Sequence, residues 1–120
     1  MFSAQTDDAV AACREATSRP CIEDDGGTTP GLIECYSAEN DGWEHVMDFV
    51  AGELTAAFPE SAALLADAQH NWQLFREQDC AFAQQRWGPG SGAQVEYVRC
   101  MATHAADRAV ALVLVQRHPD

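Results

Sequence analysis

Residues 68–80 read Ala-Gln-His-Asn-Trp-Gln-Leu-Phe-Arg-Glu-Gln-Asp-Cys. With Leu65 just upstream, Ala68, Trp72 and Phe75 recur at steps of three and four, which predicts a helix with one apolar stripe. The stripe runs on into Arg76, Asp79 and Cys80. A core-facing helix that carries a charge pair and a cysteine needs specific partners on its neighbours. Cys100, beyond a glycine-rich turn, is the natural partner for Cys80.

Working outward, the same periodicity predicts two more long helices. One runs from about Leu32 to Ala57, with Leu32, Tyr36, Trp43, Met47, Val50 and Leu54 on one face. Gly42 weakens it by about 1 kcal/mol relative to alanine. Phe58-Pro59 ends it, because proline disfavours a helical residue before it. Pro59 also suits the first turn of the next helix, which spans about Glu60 to Arg86. Trp87-Gly-Pro-Gly-Ser-Gly-Ala is a break. The last helix runs from about Ala93 to Gln116, with Val95, Val98, Met101, Ala105, Leu112 and Val115 on one side. At the start, Thr6 or Asp7 caps a short helix through Ala16, and Pro20 stops it. Cys21 to Gly31, rich in turn residues, reads as a loop. The expectation is an all-α fold: a small antiparallel bundle of three long helices plus a short N-terminal helix, stapled by disulfides. A chain of 120 residues fits one domain, with its core over about residues 13–116.

Short connections make consecutive helices antiparallel, so position along the chain translates into height in the bundle. Folding about Phe58-Pro59 puts Cys35 near the level of Phe82. Folding about Gly90 puts Cys80 level with Cys100. Cys80–Cys100 and Cys21–Cys35 are the expected bridges, with Cys35–Cys80 plus Cys21–Cys100 as the rival pairing. Each bridge contributes roughly 2–4 kcal/mol. Cys13 is left over from the five cysteines, for a bond to another chain or to an upstream cysteine.

Cysteine density in a small chain suggests an oxidising compartment. No C-x-x-C pair or close Cys/His cluster favours zinc, and no metal or cofactor is expected. The residues from Met1 to Asp8 lack the basic and apolar regions of a signal peptide, so the expectation is a mature exported chain whose leader has been removed. No apolar run reaches the ~18 residues of a membrane span. Net charge is −12, with no lysine among the 7 basic residues. That weighs against nucleic acid and favours a cationic partner through steering, although an acidic surface also serves solubility alone.

Three charges sit where the apolar stripes call for hydrophobes: Glu39, Asp79 and Arg108. A buried charge needs a partner. Helix levels place Glu39 close to Arg76 and bring Arg108 within reach, which predicts a partly buried structural ion-pair network of Glu39, Arg76 and Arg108, with Asp79 at its edge or capping nearby backbone. The competing reading, a catalytic acid pair of the glycosidase kind, is disfavoured, because a carboxylate beside an arginine is a poor general acid. Cys100 with His104, or Asp41 with His45, share a helix turn as metal ligands do, but the disulfide claims Cys100. No serine has a His and an acid in a triad arrangement. No enzyme activity is expected.

The pattern Ala-Gln-x-x-Trp-x-x-Phe-Arg-x-x-x-Cys, at Ala68 to Cys80, resembles the central motif of the LprI N-terminal domain family. Its members are small exported bacterial proteins associated by name with lysozyme inhibition. Cys35 followed by Glu39, after Gly-Gly-Thr-Thr-Pro-Gly, is similar to the family's first cysteine segment. The glycine-rich turn before Cys100, with Arg108 and Leu112 after it, is similar to its closing segment. Glu77, Met47-Asp48 and Ala105 depart from the family pattern. The resemblance implies an all-α fold, export and disulfides, and brings no catalytic residues with it. The function expected is an exported, non-enzymatic binding or inhibitor module. Its target would be a cationic protein such as lysozyme, steered by Glu23, Asp24 and Asp25. Trp43, Trp72 and Trp87 read most simply as core or core-edge residues, with Trp87, beside the turn, as the one that could instead be exposed and contact the partner. The alternative is a structural or interaction domain of the bacterial envelope with no lysozyme contact.

Overall fold

A computed structural model describes residues 6–25 and 27–119. Its elements are α1 (Asp7–Ala12), a 3-10 turn at Cys13–Glu15, α2 (Ser18–Asp25), α3 (Thr29–Ala57), a 3-10 turn at Pro59–Ser61, α4 (Ala62–Trp87) and α5 (Gly92–Arg117). No strand occurs among the described residues. The all-α, disulfide-stapled bundle is therefore the observed fold.

Local chemistry sets the helix ends. Thr6 caps α1 by accepting from Ala9 N, and Thr28 caps α3 by accepting from Gly31 N. Pro30 stands in the first turn of α3, where its missing N–H costs nothing. At the end of α4, Gly88 takes φ +92°, a backbone conformation that a Cβ would strain. Gly92 opens α5 directly beneath the Trp87 indole, and a Cβ there would collide with the ring.

The chain reverses at residues 58–61 and again at 88–91, so α3 and α5 run parallel and α4 runs against both. Side chains confirm the register: Gln116 donates to Glu53 at 2.8 Å, and Arg108 donates to Gln69 at 2.6 Å. The principal core lies between α3 and α5. Trp43, Met47, Val50 and Leu54 of α3 pack on Ala105, Ala106, Ala109, Val110, Leu112 and Val113 of α5, with Val10 closing the cluster. The alanines of α5 let the larger α3 side chains fill the space between the helices.

The N-terminal segment runs back along this α3/α5 pair. Asp7 bonds Arg117 near the end of α5, Arg14 bonds Asp107 midway, and Cys21 is joined to Cys35 near the start of α3. Here the structure corrects the expected loop at Cys21–Gly31. Much of it is helical: α2 extends to Asp25, and α3 begins at Thr29 rather than Leu32. Pro20 does not stop a helix. It is the third residue of α2, where an N–H has no intrahelical acceptor in any case.

A second correction concerns α4. Its fully buried residues are Arg76 and Cys80, with Leu65 and Trp72 partly buried against the core. Phe75, expected on the inner stripe, is 56 % exposed. The inward face is centred on the arginine, roughly 100° round the helix from the neighbouring Phe75 that hydrophobicity alone points to. No helix among the described residues is long and apolar enough to cross a membrane.

Candidate functional site

The four charges expected to form one network take separate posts. Glu39 is only 3 % exposed. Its Oε1 accepts from Thr17 N at 3.2 Å, Ser18 N at 3.1 Å and Ser18 Oγ at 3.0 Å. It thus satisfies the orphan donors at the start of α2, which explains why a helix forms there. Arg76, 2 % exposed, faces another side of α3. It pairs with Glu44 at 2.7 Å, donates to Asn40 and Gln73 at 3.2 and 2.9 Å, and lies 4.6 Å from the centre of the Trp72 ring. Its Nε is buried and has no hydrogen-bond partner among the described residues. Arg108 donates to Gln69, and burial pushes its guanidinium below the ordinary value. Asp79 bonds His104 at 2.5 Å, and the His104 ring meets Phe75 edge-on. Matching heights brought Glu39 and Arg76 together on paper. Height does not specify the direction in which each side chain leaves its helix, and these two point to different neighbours.

The disulfides are Cys80–Cys100 and Cys21–Cys35, which settles the pairing against its rival. Cys13 takes part in neither, and its Sγ donates to Ala9 O at 3.3 Å. Cys80, Cys100 and His104 lie close enough for metal ligation. The two sulfurs are bonded to each other instead, so this cluster is a staple with a histidine beside it.

The surface around α4 differs from the rest. Phe75, Phe82 and Trp87 are all more than half exposed. A step of seven keeps Phe75 and Phe82 on one outward side of α4, while Trp87, five residues on, stands roughly 140° further round at the helix end. Phe82 and Trp87 flank a groove against α5 together with Asp79, Arg86 and Glu96. Arg86 lies over the Phe82 ring at 6.0 Å. Of this surface, sequence reading marked Trp87 and Asp79 and missed the two phenylalanines as exposed groups. Their spacing of seven was the available signal, once Arg76 is taken as the inward residue.

Glu23, Asp24 and Asp25 form the last turn of α2 and are exposed. Asp25 accepts from Thr28 N at 3.0 Å and Thr28 Oγ1 at 2.8 Å, so it shapes the turn into α3. The acids therefore stand on a helix end, not on the loop expected for them. The start of α3 and the end of α4 share one end of the bundle, so these acids and Trp87 lie toward the same end.

The profile of the family described as "Lysozyme inhibitor LprI" matches residues 21–112 of the chain. The chain belongs to the LprI family. The matched span begins at Cys21 and takes in both disulfides, Glu39, the buried Arg76 and the aromatic surface of α4. α1 lies before it. Neither the curated proteins nor the solved structures contain a match. The LprI description is that of an inhibitor family.

Proposed function

We propose that this LprI-family chain is an exported, non-enzymatic binding module that inhibits a basic cell-wall hydrolase of the lysozyme type. The observation that carries this reading is the exposed aromatic surface of α4, Phe75, Phe82 and Trp87, inside the family-matched span. Large exposed aromatics are the usual anchors of protein interfaces, and acidic Asp79 and Glu96 at their edge suit a basic partner. The acids closing α2 add to this. Three carboxylates at a helix C-terminus oppose its dipole, and a cationic partner relieves that repulsion. A net charge of −12 draws such a partner in over long range. Two disulfides suit export to an oxidising compartment.

The test is calorimetry of the chain with lysozyme at physiological salt, with cytochrome c as a basic control, alongside an assay of lysis. The expected result is micromolar or tighter binding to lysozyme alone, persisting at higher salt, with lytic activity lost. Trp87→Ala with Phe82→Ala weakens it by at least about tenfold. Equal, weak, salt-sensitive binding to both proteins would be charge alone. That result, or no binding, would leave an envelope interaction domain with a different partner.

A further inference from the structure

Where the N-terminal segment crosses α3 and α5, a cleft of about 240 Å³ opens on the side of the molecule that carries Glu39. Its floor is Ala102 and Ala106, both buried, whose methyl groups leave the space that longer side chains would fill. Four charged residues line it. Two are already matched: Arg14 bonds Asp107 at 2.7 Å and the Ala11 carbonyl at 2.9 Å, and Glu15 bonds Arg19 at 3.3 Å.

The other two are not. Glu39 places all three of its hydrogen bonds on Oε1. Its Oε2 accepts none from the described residues and is not sealed from solvent. An oxygen that the fold leaves without a protein donor is open to one from water or from a ligand. Arg99, from α5, lines the same cleft and forms no ion pair with any described residue. The Tyr36 hydroxyl, one turn before Glu39, also forms no hydrogen bond with any described residue. Opposite charges thus line one small space from two helices, too far apart to satisfy each other. Glu39 also borders a second, more open cleft beside Trp43, but no cationic side chain lines that one.

We infer that the cleft between the N-terminal segment, α3 and α5 binds a small zwitterion, its ammonium on Glu39 Oε2 and its carboxylate on Arg99. The Tyr36 hydroxyl supplies a further polar contact. A lone cation meets the Arg99 guanidinium and a lone anion meets the Glu39 carboxylate, so a molecule carrying both charges fits where neither half alone does. The α-amino acids and the shortest peptides have this chemistry. The site is separate from the α4 surface and does not depend on what that surface binds.

The test is an NMR titration of the full chain, following backbone amides, with L-alanine, L-alanyl-L-alanine, methylammonium and acetate, each to about 50 mM, a range that reaches millimolar affinities. Saturable shifts at Thr17, Ser18 and Thr103 are expected with alanine or dialanine, and the better of the two identifies a free amino acid or a short peptide. Methylammonium and acetate bind at least about tenfold more weakly, each lacking one charge-assisted bond. Glu39→Gln keeps an oxygen for the α2 donors but turns the second position from acceptor to donor. It weakens binding by about tenfold or more. Arg99→Gln, at an exposed position, does the same, whereas Arg86→Gln on the far surface does not. Shifts that fail to saturate with both zwitterions, equal binding of methylammonium or acetate, or unchanged binding by Arg99→Gln would each overturn the assignment.

Discussion

A single carboxylate can decide the shape of a whole segment. Glu39 occupies a position where periodicity calls for a hydrophobe, yet it accepts the donors that start α2. Truncation strands two backbone N–H groups and a hydroxyl in a buried site, so Glu39→Ala is expected to cost about 2–4 kcal/mol. Glu39→Gln, which keeps an acceptor in place, costs less. Urea denaturation of the two variants measures the difference, and equal losses would show that the carbonyl-like oxygen is not what α2 needs. Asp7 supplies a pH dependence. Its hydrogen bond to His118 holds its carboxyl below the ordinary value, with Arg117 acting in the same direction against desolvation. The folded state therefore binds this proton more weakly than the unfolded one. The contribution is complete above the ordinary carboxyl value and is lost as pH falls through the lower, folded one. Asp7→Asn should melt below the parent chain at about pH 6 and level with it near pH 2, as seen in thermal scans.

At the scale of elements, α2 is the piece with least support of its own. It has 8 residues, and Ser18 is its one buried side chain. A helix this short is marginal without tertiary contacts. What holds it is Glu39 at its start and the Cys21–Cys35 bridge in its body. Replacing both cysteines by serine should cost roughly 2–4 kcal/mol, and amide exchange should speed up across α2 well before it does in α3 or α5. Uniform acceleration through all the helices would instead mean that α2 and the main core open as one unit. α4 presents the opposite case. It is a long helix whose inner face carries Arg76 and Cys80, so its attachment rests on ion pairing, ring stacking and a disulfide as well as on Leu65 and Trp72. That polar inner face leaves Phe75 and Phe82 on the outside, more than half exposed.

Across the whole molecule, 19 acids face 7 arginines. Four of the arginines are held by carboxylates within the fold, Arg14, Arg19, Arg76 and Arg117. Most of the acids remain to repel one another, which opposes compaction at low ionic strength. The melting temperature should therefore rise between about 10 and 150 mM sodium chloride, as the screening length falls from about 30 to 8 Å. A melting temperature that falls with salt would show that attractive pairs outweigh the repulsion. The same field that strains the free molecule steers a basic partner toward it, which links the charge balance to the function proposed for the α4 surface.

The three long helices, the breaks at Phe58-Pro59 and after Trp87, and the shared level of Cys80 and Cys100 were all legible in the residues. The reason is that rise along a helix is linear in residue number and that proline and glycine interrupt it locally. The two expected bridges, Cys80–Cys100 and Cys21–Cys35, are the ones that form, whereas which way Glu39 and Arg76 point, and whether Phe75 lies inside or outside, were decided by the tertiary structure. Each depends on rotation about a helix axis, and rotation is set by the neighbours that a face meets, not by the face alone. α2 belongs with these. Its residues read as turn formers, and it becomes a helix because Glu39, brought beside its first turn by the packing of α3 against the N-terminal segment, supplies the acceptor that its own sequence lacks.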